Sequence, residues 1–305
     1  MKTFKDDVPS GFDSPTLLPE TAEQARTWQS ANRTWWEDNP MRYDWKQKIA
    51  HPEFSRGFYE EIDRRFFADA REYVPWGATP FDSVVDFASL RDKDVLEIGV
   101  GSGSHAQLLA THAKSFTGID LTDYAVQSTQ KRLDCFGLRG NVTRMDAETL
   151  EFPDESFDFV WSWGVIHHSS NTRQILREIR RVLRPGGRAT TMVYHRNWYS
   201  YYFLSGFCLG VLKGELLQTR SLHKILQRWT DGAMARYYSI PEWTAELTDF
   251  EIESIRVVGS KAQLVPLPGG RVKNAVMAAT PDRLSRFFTN DCRLGNFLVS
   301  TVRKR

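Results

Sequence analysis

Short apolar runs alternate with amphipathic stretches through the middle of the chain. The runs at 94–99, 115–120, 140–145, 156–162 and 188–194 read as buried strands, and the stretches at 103–113, 122–136 and 171–183 carry helical spacing. Strands separated by single helices predict parallel pairing with right-handed crossovers. A ligand of such a sheet belongs beyond the carboxyl ends of the strands, where the strand order reverses. Further on, Ile240-Pro241 starts a short helix with proline in its first turn, 251–258 alternates like a strand, and 295–302 reads as a final strand. Between the last two, Pro266, Pro268, Gly269 and Gly270 suggest a loop, and 281–288 a short helix.

The flanks carry a different pattern. Residues 1–19 are polar and punctuated by proline, which predicts a segment that is flexible until packed. From 21 to 70 the spacing is helical and rich in aromatics, among them Trp28, Trp36, Tyr43, Trp45, Phe58 and Phe66, with a break at Asn39-Pro40. We expect an N-terminal helical layer whose rings pack it onto the main domain; the alternative is that some of them roof a pocket. After the fifth strand, 198–212 is aromatic and apolar and precedes Lys213, Arg220, His223, Lys224 and Arg228. It is too short to span a bilayer, which takes about 20 apolar residues. We read it as a substrate-side insertion covering the pocket, with ordinary core packing and a peripheral contact with anionic lipid as alternatives. The expected division is an N-terminal extension and helical cap over 1–85 and a main domain over 86–305, with the insertion at about 196–240.

Composition narrows the class. A chain of 305 residues suits one α/β domain with an appendage. A net charge of +2 gives no basic surface of the kind nucleic acid demands, so no nucleic-acid partner is expected. Cys135, Cys208 and Cys292 are far apart and lack metal-site spacing, so neither a disulfide framework nor a metal is expected. Residues 1–20 carry acids and prolines where a secretory signal has an apolar stretch, and the expected location is the cytoplasm.

The chemistry concentrates at the first strand. Val95-Leu96-Glu97-Ile98 runs into Gly99, Gly101 and Gly103, and the next strand ends in Asp120-Leu121. Glycines there let the backbone turn tightly and approach a ligand, and an acid about 20 residues on can accept from both ribose hydroxyls. A dinucleotide site wants G-x-G-x-x-G; here the third glycine comes one residue early, and Glu97 places a carboxylate where a pyrophosphate would be repelled. An acid suits a cationic ligand. S-adenosylmethionine has a sulfonium, an ammonium and ribose hydroxyls, and no phosphate.

This segment resembles motif I of the class I S-adenosylmethionine-dependent methyltransferases, of the methyltransferase 11 group. Further matches follow in order: 141–147 resembles the third strand and its acid, 157–168 the fourth strand and the loop beside the methionine moiety, and 183–188 the turn into strand five. The resemblance implies a seven-stranded Rossmann-like sheet, mostly parallel with an antiparallel final strand. It also implies a cofactor held by Glu97, Gly99, Gly101, Gly103, Asp120, Leu121, Asp146, Ala147 and Trp163. Asp146 takes the place of the adenine-amino acceptor, and Trp163 passes the ligand's amino-acid end. Each has a structural alternative: Glu97 or Asp120 capping a helix, Asp146 a loop acid, Trp163 a pocket wall.

His168, in the tandem His167-His168, and His195, at the end of strand five, are the candidate general bases, with a loop-bridging role as the alternative for the tandem pair. His105 is ambiguous, and Tyr194 and Arg196 are candidates for orienting the acceptor. The expected activity is methyl transfer to a small hydrophobic or amphiphilic acceptor. A nicotinamide-dependent oxidoreductase and a non-catalytic cofactor-binding subunit are the alternatives.

Overall fold

The computed structural model describes residues 8–45, 47–267 and 270–305. The first seven residues of the expected flexible segment, and Pro268 and Gly269 of the expected loop, lie outside them. Five strands run parallel: β1 (Asp94–Ile98), β2 (Ser115–Asp120), β3 (Asn141–Arg144), β4 (Phe157–Trp163) and β5 (Leu183–His195). A two-residue strand, β6 (Tyr237–Tyr238), pairs parallel with the end of β5 and was not anticipated. With β7 (Glu251–Val258) and β8 (Phe297–Arg303) the order is β3-β2-β1-β4-β5-β8-β7, and β8 runs antiparallel to both its neighbours. The expected mostly parallel sheet with an antiparallel final strand is present. Its order reverses between β1 and β4, which places the crevice at their carboxyl ends.

Alternation along β1 explains why the sheet is buried on both faces. Leu96 and Ile98 enter one core with Val160, Ile175 and Ile179, whereas Val95 enters the other with Phe116, Leu109 and Leu133. The covering helices are α3 (Ser104–His112) and α4 (Asp123–Cys135) on one side and α5 (Thr172–Val182) on the other.

The N-terminal layer consists of α1 (Ala22–Asp38) and α2 (Arg56–Tyr73), each started by a hydroxyl cap, Thr21 and Ser55. Helix α1 ends just before Pro40, as the restriction on the residue preceding proline requires. Its Glu37 carboxylate accepts from the backbone N–H groups of Asp123 and Tyr124 at 2.9 and 3.1 Å, which ties α1 across the start of α4. In the segment before α1, Phe12 is fully buried, edge-on to Trp28 at 5.3 Å and to His223 at 5.0 Å. That segment is packed from residue 8 onward.

Three later regions depart from expectation. The turn at 183–188 belongs to β5 as an irregularity, with Phe157 opposite Leu183 and Phe159 opposite Arg188. Residues Trp198–Leu212 form a π-helix in which only Tyr201, Ser205 and Gly210 are buried, so ordinary core packing does not describe it. Two short helices follow, α6 (Glu215–Thr219) and α7 (Leu222–Gln227), then α8 (Ile240–Glu246), which has the expected proline and a Ser239/Glu242 capping box. Around the expected loop lie α9 (Lys261–Leu264) and α10 (Arg271–Ala279). The short helix α11 (Asp282–Arg286) runs on into a wide turn at Phe287–Asp291. Among the described residues, no helix is long and apolar enough to cross a membrane.

Candidate functional site

At the end of β1 the chain enters a turn in which Gly99, Gly101 and Gly103 all have positive φ, at 80°, 53° and 81°. A Cβ on Gly99 would stand 2.2 Å from a Val165 methyl, so a side chain is excluded there by contact as well as by conformation. At Gly101 nothing lies within 4 Å of the same position, which opens instead onto a cavity of about 400 Å³. Arg132, fully buried on α4, fixes the turn from behind. Its guanidinium donates to the Ser102 carbonyl at 3.1 Å and to Gln107 at 2.8 Å, and it pairs with Asp63 of α2.

Asp120 is the most constrained acid in the cavity wall. One oxygen accepts from the Gly101 N–H at 3.1 Å, and the other from the Thr122 N–H at 3.0 Å and hydroxyl at 2.8 Å. Burial raises its pKa, and these hydrogen bonds oppose the rise. Thr122, not Asp120, caps α4, by accepting from the Ala125 N–H. The capping alternative for Asp120 therefore does not hold.

Asp146 accepts from the Glu148 N–H and from the Gln29 side-chain amide, both at 2.9 Å, while the Gln29 carbonyl accepts from the Ser170 N–H at 3.0 Å. Gln29 of α1 thus bridges the loop after β3 and the loop before α5. Sequence reasoning missed it, because its partner is 117 positions away.

Of the residues singled out, Gly99, Gly101, Asp120, Leu121, Asp146, Ala147, Trp163 and His168 line one cavity. Gly103 stands behind the turn, where a Cβ would meet Arg132 and Thr129 at 3.0 Å. Glu97 is also behind the lining, 1% exposed, with its Oε1 3.9 Å from Nδ1 of His105. Neither Glu97 Oε2 nor His105 Nε2 has a hydrogen-bond partner among the described residues. Burial, then the nearby Asp120, raises the Glu97 pKa well above the usual range; burial, then Arg132, depresses His105 to about 3. His105 itself does line the cavity, enclosed by the rings of Phe66, Phe81, Trp161 and Trp163.

The two candidate bases separate. His168 is in the lining, with Nδ1 donating to the Met234 carbonyl at 2.7 Å, which leaves the ring's lone pair on Nε2. His195 does not reach the cavity. Its Nδ1 donates to the Gly295 carbonyl at 2.8 Å, and burial lowers its pKa. The reason is strand alternation: Met192 and Tyr194 of β5 face the cavity, so His195 faces the other side. Arg196 is likewise absent from the lining and pairs with Glu242.

The rest of the wall is aromatic. Trp163 lies stacked on Trp161, with ring centres 5.1 Å apart and planes within 5°, and meets the edge of Phe81 at 5.0 Å. Opposite are Trp36, Tyr43, Trp45, Phe66, Tyr73, Tyr194 and Phe297, so part of the N-terminal layer does roof the cavity, while Trp28 and Phe58 only pack. Burial raises the pKa values of Tyr43, Tyr73 and Tyr194, which therefore act as hydrogen-bond donors and not as bases. No residue of 198–212 lines the cavity; the expected covering role belongs to α1 and residues 40–45.

Residues 96–191 match the protein family described as a methyltransferase domain. This stretch, which runs from β1 into β5, is similar to methyltransferase domains, and the rest of the chain lies outside the match. A phthiotriol/phenolphthiotriol dimycocerosates methyltransferase of Mycobacterium tuberculosis is 42% identical over 100 residues, 32% of this chain and 36% of that protein. A 27-O-demethylrifamycin SV methyltransferase of Amycolatopsis mediterranei is 35% identical over 111 residues, 35% of this chain and 41% of that protein. A fatty-acid O-methyltransferase of Mycolicibacterium smegmatis is 35% identical over 109 residues, 35% of this chain and 39% of that protein. The similarity to these methyltransferases thus spans only about a third to two fifths of their length.

Proposed function

We propose that this chain transfers a methyl group from S-adenosylmethionine to a small, neutral, hydrophobic or amphiphilic acceptor. The observation that carries this reading is the sign and texture of the cavity. Asp69, Asp120, Asp146 and Asp231 contribute carboxylates to it, no lysine or arginine among the described residues lines it, and much of the remaining wall is aromatic or aliphatic. Such a lining suits a sulfonium cation and an uncharged, apolar acceptor. A fatty acid, the substrate class named for one relative, would bring a further carboxylate to a wall whose described charged residues are aspartates, which favours a neutral acceptor here.

When bound, the cofactor supplies a methyl group on a sulfonium whose departure leaves a neutral sulfide. The chain's work is alignment and exclusion of water, worth up to about 7 to 11 kcal/mol in well-oriented cases. In our assignment Asp120 accepts from the ribose hydroxyls, Asp146 and Ala147 meet the adenine edge, and Leu121 packs on the base. Gly99 and Gly101 allow the backbone to approach, and Trp163 walls the methionine end. Glu97 and Gly103 support the turn from behind. For a hydroxyl acceptor, Nε2 of His168 is the proton acceptor.

We keep the division into a cap over 1–85, which contributes Gln29, Trp36 and Tyr43 to the cavity, and a main domain over 86–305. Three dispersed free thiols support a reducing, cytoplasmic setting.

The test is incubation with isotope-labelled S-adenosylmethionine and a metabolite extract, followed by mass spectrometry of what gained the label. A labelled neutral lipophile is the expected product. Calorimetric binding of NAD in place of S-adenosylmethionine would overturn the reading. Cofactor binding without turnover across a broad acceptor panel would leave a non-catalytic binding subunit.

A further inference from the structure

The helix Trp198–Leu212 contains no charged residue, yet it turns most of its large side chains to solvent: Trp198 is 65% exposed, Phe207 47% and Leu212 68%. A helix closed by i→i+5 bonds brings residues four and five apart onto one line. Trp198, Phe203 and Phe207 accordingly stack in a row, with ring centres 5.7 and 6.0 Å apart and planes within 17°. Val211 and Leu212 prolong the ridge, and α6 adds Leu216 and Leu217, the latter 86% exposed. The Tyr199 hydroxyl donates to the Leu264 carbonyl at 2.9 Å, which ties the π-helix to α9, and further along the chain Val272, Val276, Phe287 and Phe288 are also exposed. A ridge of exposed aromatic and aliphatic side chains of this kind marks an interaction site.

The chain flanking these stretches is cationic. Lys213, Arg220, Lys224 and Arg228 follow the ridge, with Glu215 paired to Arg228; the second stretch carries Arg271, Lys273, Arg283 and Arg286, with Asp282 paired to Arg286. With a net charge of only +2 on the whole chain, this excess is local. The ridge also starts beside the cavity. Asn197, which caps the helix, donates to the Gly295 carbonyl and the Asn296 side chain, just before the lining residue Phe297. The Tyr201 ring lies 5.7 Å from Tyr237, which lies 5.2 Å from the lining residue Tyr194.

We propose that this face docks on an anionic lipid surface, with the aromatic ridge in the headgroup boundary and the cationic flanks on the phosphates. The cavity entrance is then held beside the phase in which a lipophilic acceptor dissolves. The bilayer is favoured over a second copy of the chain because two copies would bring like-charged flanks together. The docking deepens the methyl-transfer reading, and the two are separable by experiment.

The full chain is floated with phosphatidylcholine vesicles, with and without phosphatidylglycerol, while cofactor affinity is measured by calorimetry without vesicles. Binding is expected to the phosphatidylglycerol vesicles and to weaken in high salt. Phe207→Asp with Leu217→Asp is expected to abolish flotation. Lys213→Gln with Arg220→Gln should weaken it about thirtyfold. Both double variants should bind the cofactor as the parent does. Absence of flotation with either vesicle, unchanged flotation of the aspartate variant, or a dimer that Phe207→Asp dissociates without any vesicle binding would overturn the docking. Flotation by a chain that binds no S-adenosylmethionine would uphold the docking and remove the methyl-transfer reading.

Discussion

Around the cavity, the side formed by the glycine turn and the ends of β1, β2 and β3 holds its polar atoms in short, directed hydrogen bonds. Asp120 alone accepts three, from Gly101 and Thr122. The opposite side, drawn from α1, residues 40–45, the end of α2 and the tips of β4 and β5, is walled by rings whose contacts are broad and weakly directional. The first side can recognise one arrangement of donors and a positive charge; the second can accept many shapes of similar polarity. Under the proposed assignment, a fixed cofactor meets the first side and a variable acceptor the second, so exchanging acceptors would require rebuilding only the aromatic side.

Acid titration should produce the largest effect and separates the cavity from the insertion. His105 beside the glycine turn and His223 beneath the π-helix are both depressed to about 3 by burial. Their unfolded values lie near 6.5, so between pH 6.5 and 3 the unfolded chain binds more protons and stability falls as pH falls. Each histidine contributes a slope of up to about 1.4 kcal/mol per pH unit. Glu97, raised by burial, works in the opposite sense, since its contribution is lost as pH rises through its folded value. Urea unfolding at several pH values should show a shallower acid limb in His105→Asn and in His223→Asn than in the parent; parallel curves would contradict the assignment.

Next in size is Arg132→Met, which strips the support from the directed side only. Leaving Asp63 and the Ser102 carbonyl without their cation should cost roughly 3 kcal/mol of stability, read by urea unfolding at neutral pH. A loss under about 1 kcal/mol, the range of an exposed pair, would mean that the turn holds itself.

Asp120→Ala should lose roughly 1 to 3 kcal/mol of S-adenosylmethionine affinity by calorimetry, while the acceptor KM, once an acceptor is known, stays unchanged. A shift in acceptor KM instead would blur the division between the two sides. The smallest effect belongs to His195→Asn. Its turnover per folded molecule should stay within about twofold of the parent, whereas His168→Asn should reduce it at least about a hundredfold for a hydroxyl acceptor. A large loss in the His195 variant would return that residue to the chemistry.

The same comparison explains what could be read from the chain. The directed side is made of residues that follow one another closely: three glycines in five positions, then an acid 19 residues beyond Gly101. Local backbone requirements wrote it, so a linear pattern reveals it. The aromatic side gathers Gln29, Tyr43, Tyr73, Tyr194 and Phe297 from across the chain, and only tertiary packing brings them together. His195 shares the end of β5 with Tyr194, which suggests a common edge, yet strand alternation turns the two to opposite faces. The insertion was harder: an apolar stretch of 15 residues has the same composition whether it faces a core, a pocket or a lipid surface. Helices α9 and α10 were hidden because Pro266 and Gly270 read as loop signals while the residues on either side carried the helices.

The position of β8 has a consequence for how the molecule assembles. Residues 297–303 sit inside the sheet, between β5 and β7, with Arg188 opposite Arg303, 115 positions further along the chain. Until that strand arrives, β5 and β7 each present an open row of amide groups, the kind of edge that recruits other chains. Closing so distant a pairing is slow compared with helix formation. Any delay in that pairing therefore leaves two adhesive edges exposed, and aggregation in overexpressing cells should be governed by that step more than by the native state's stability.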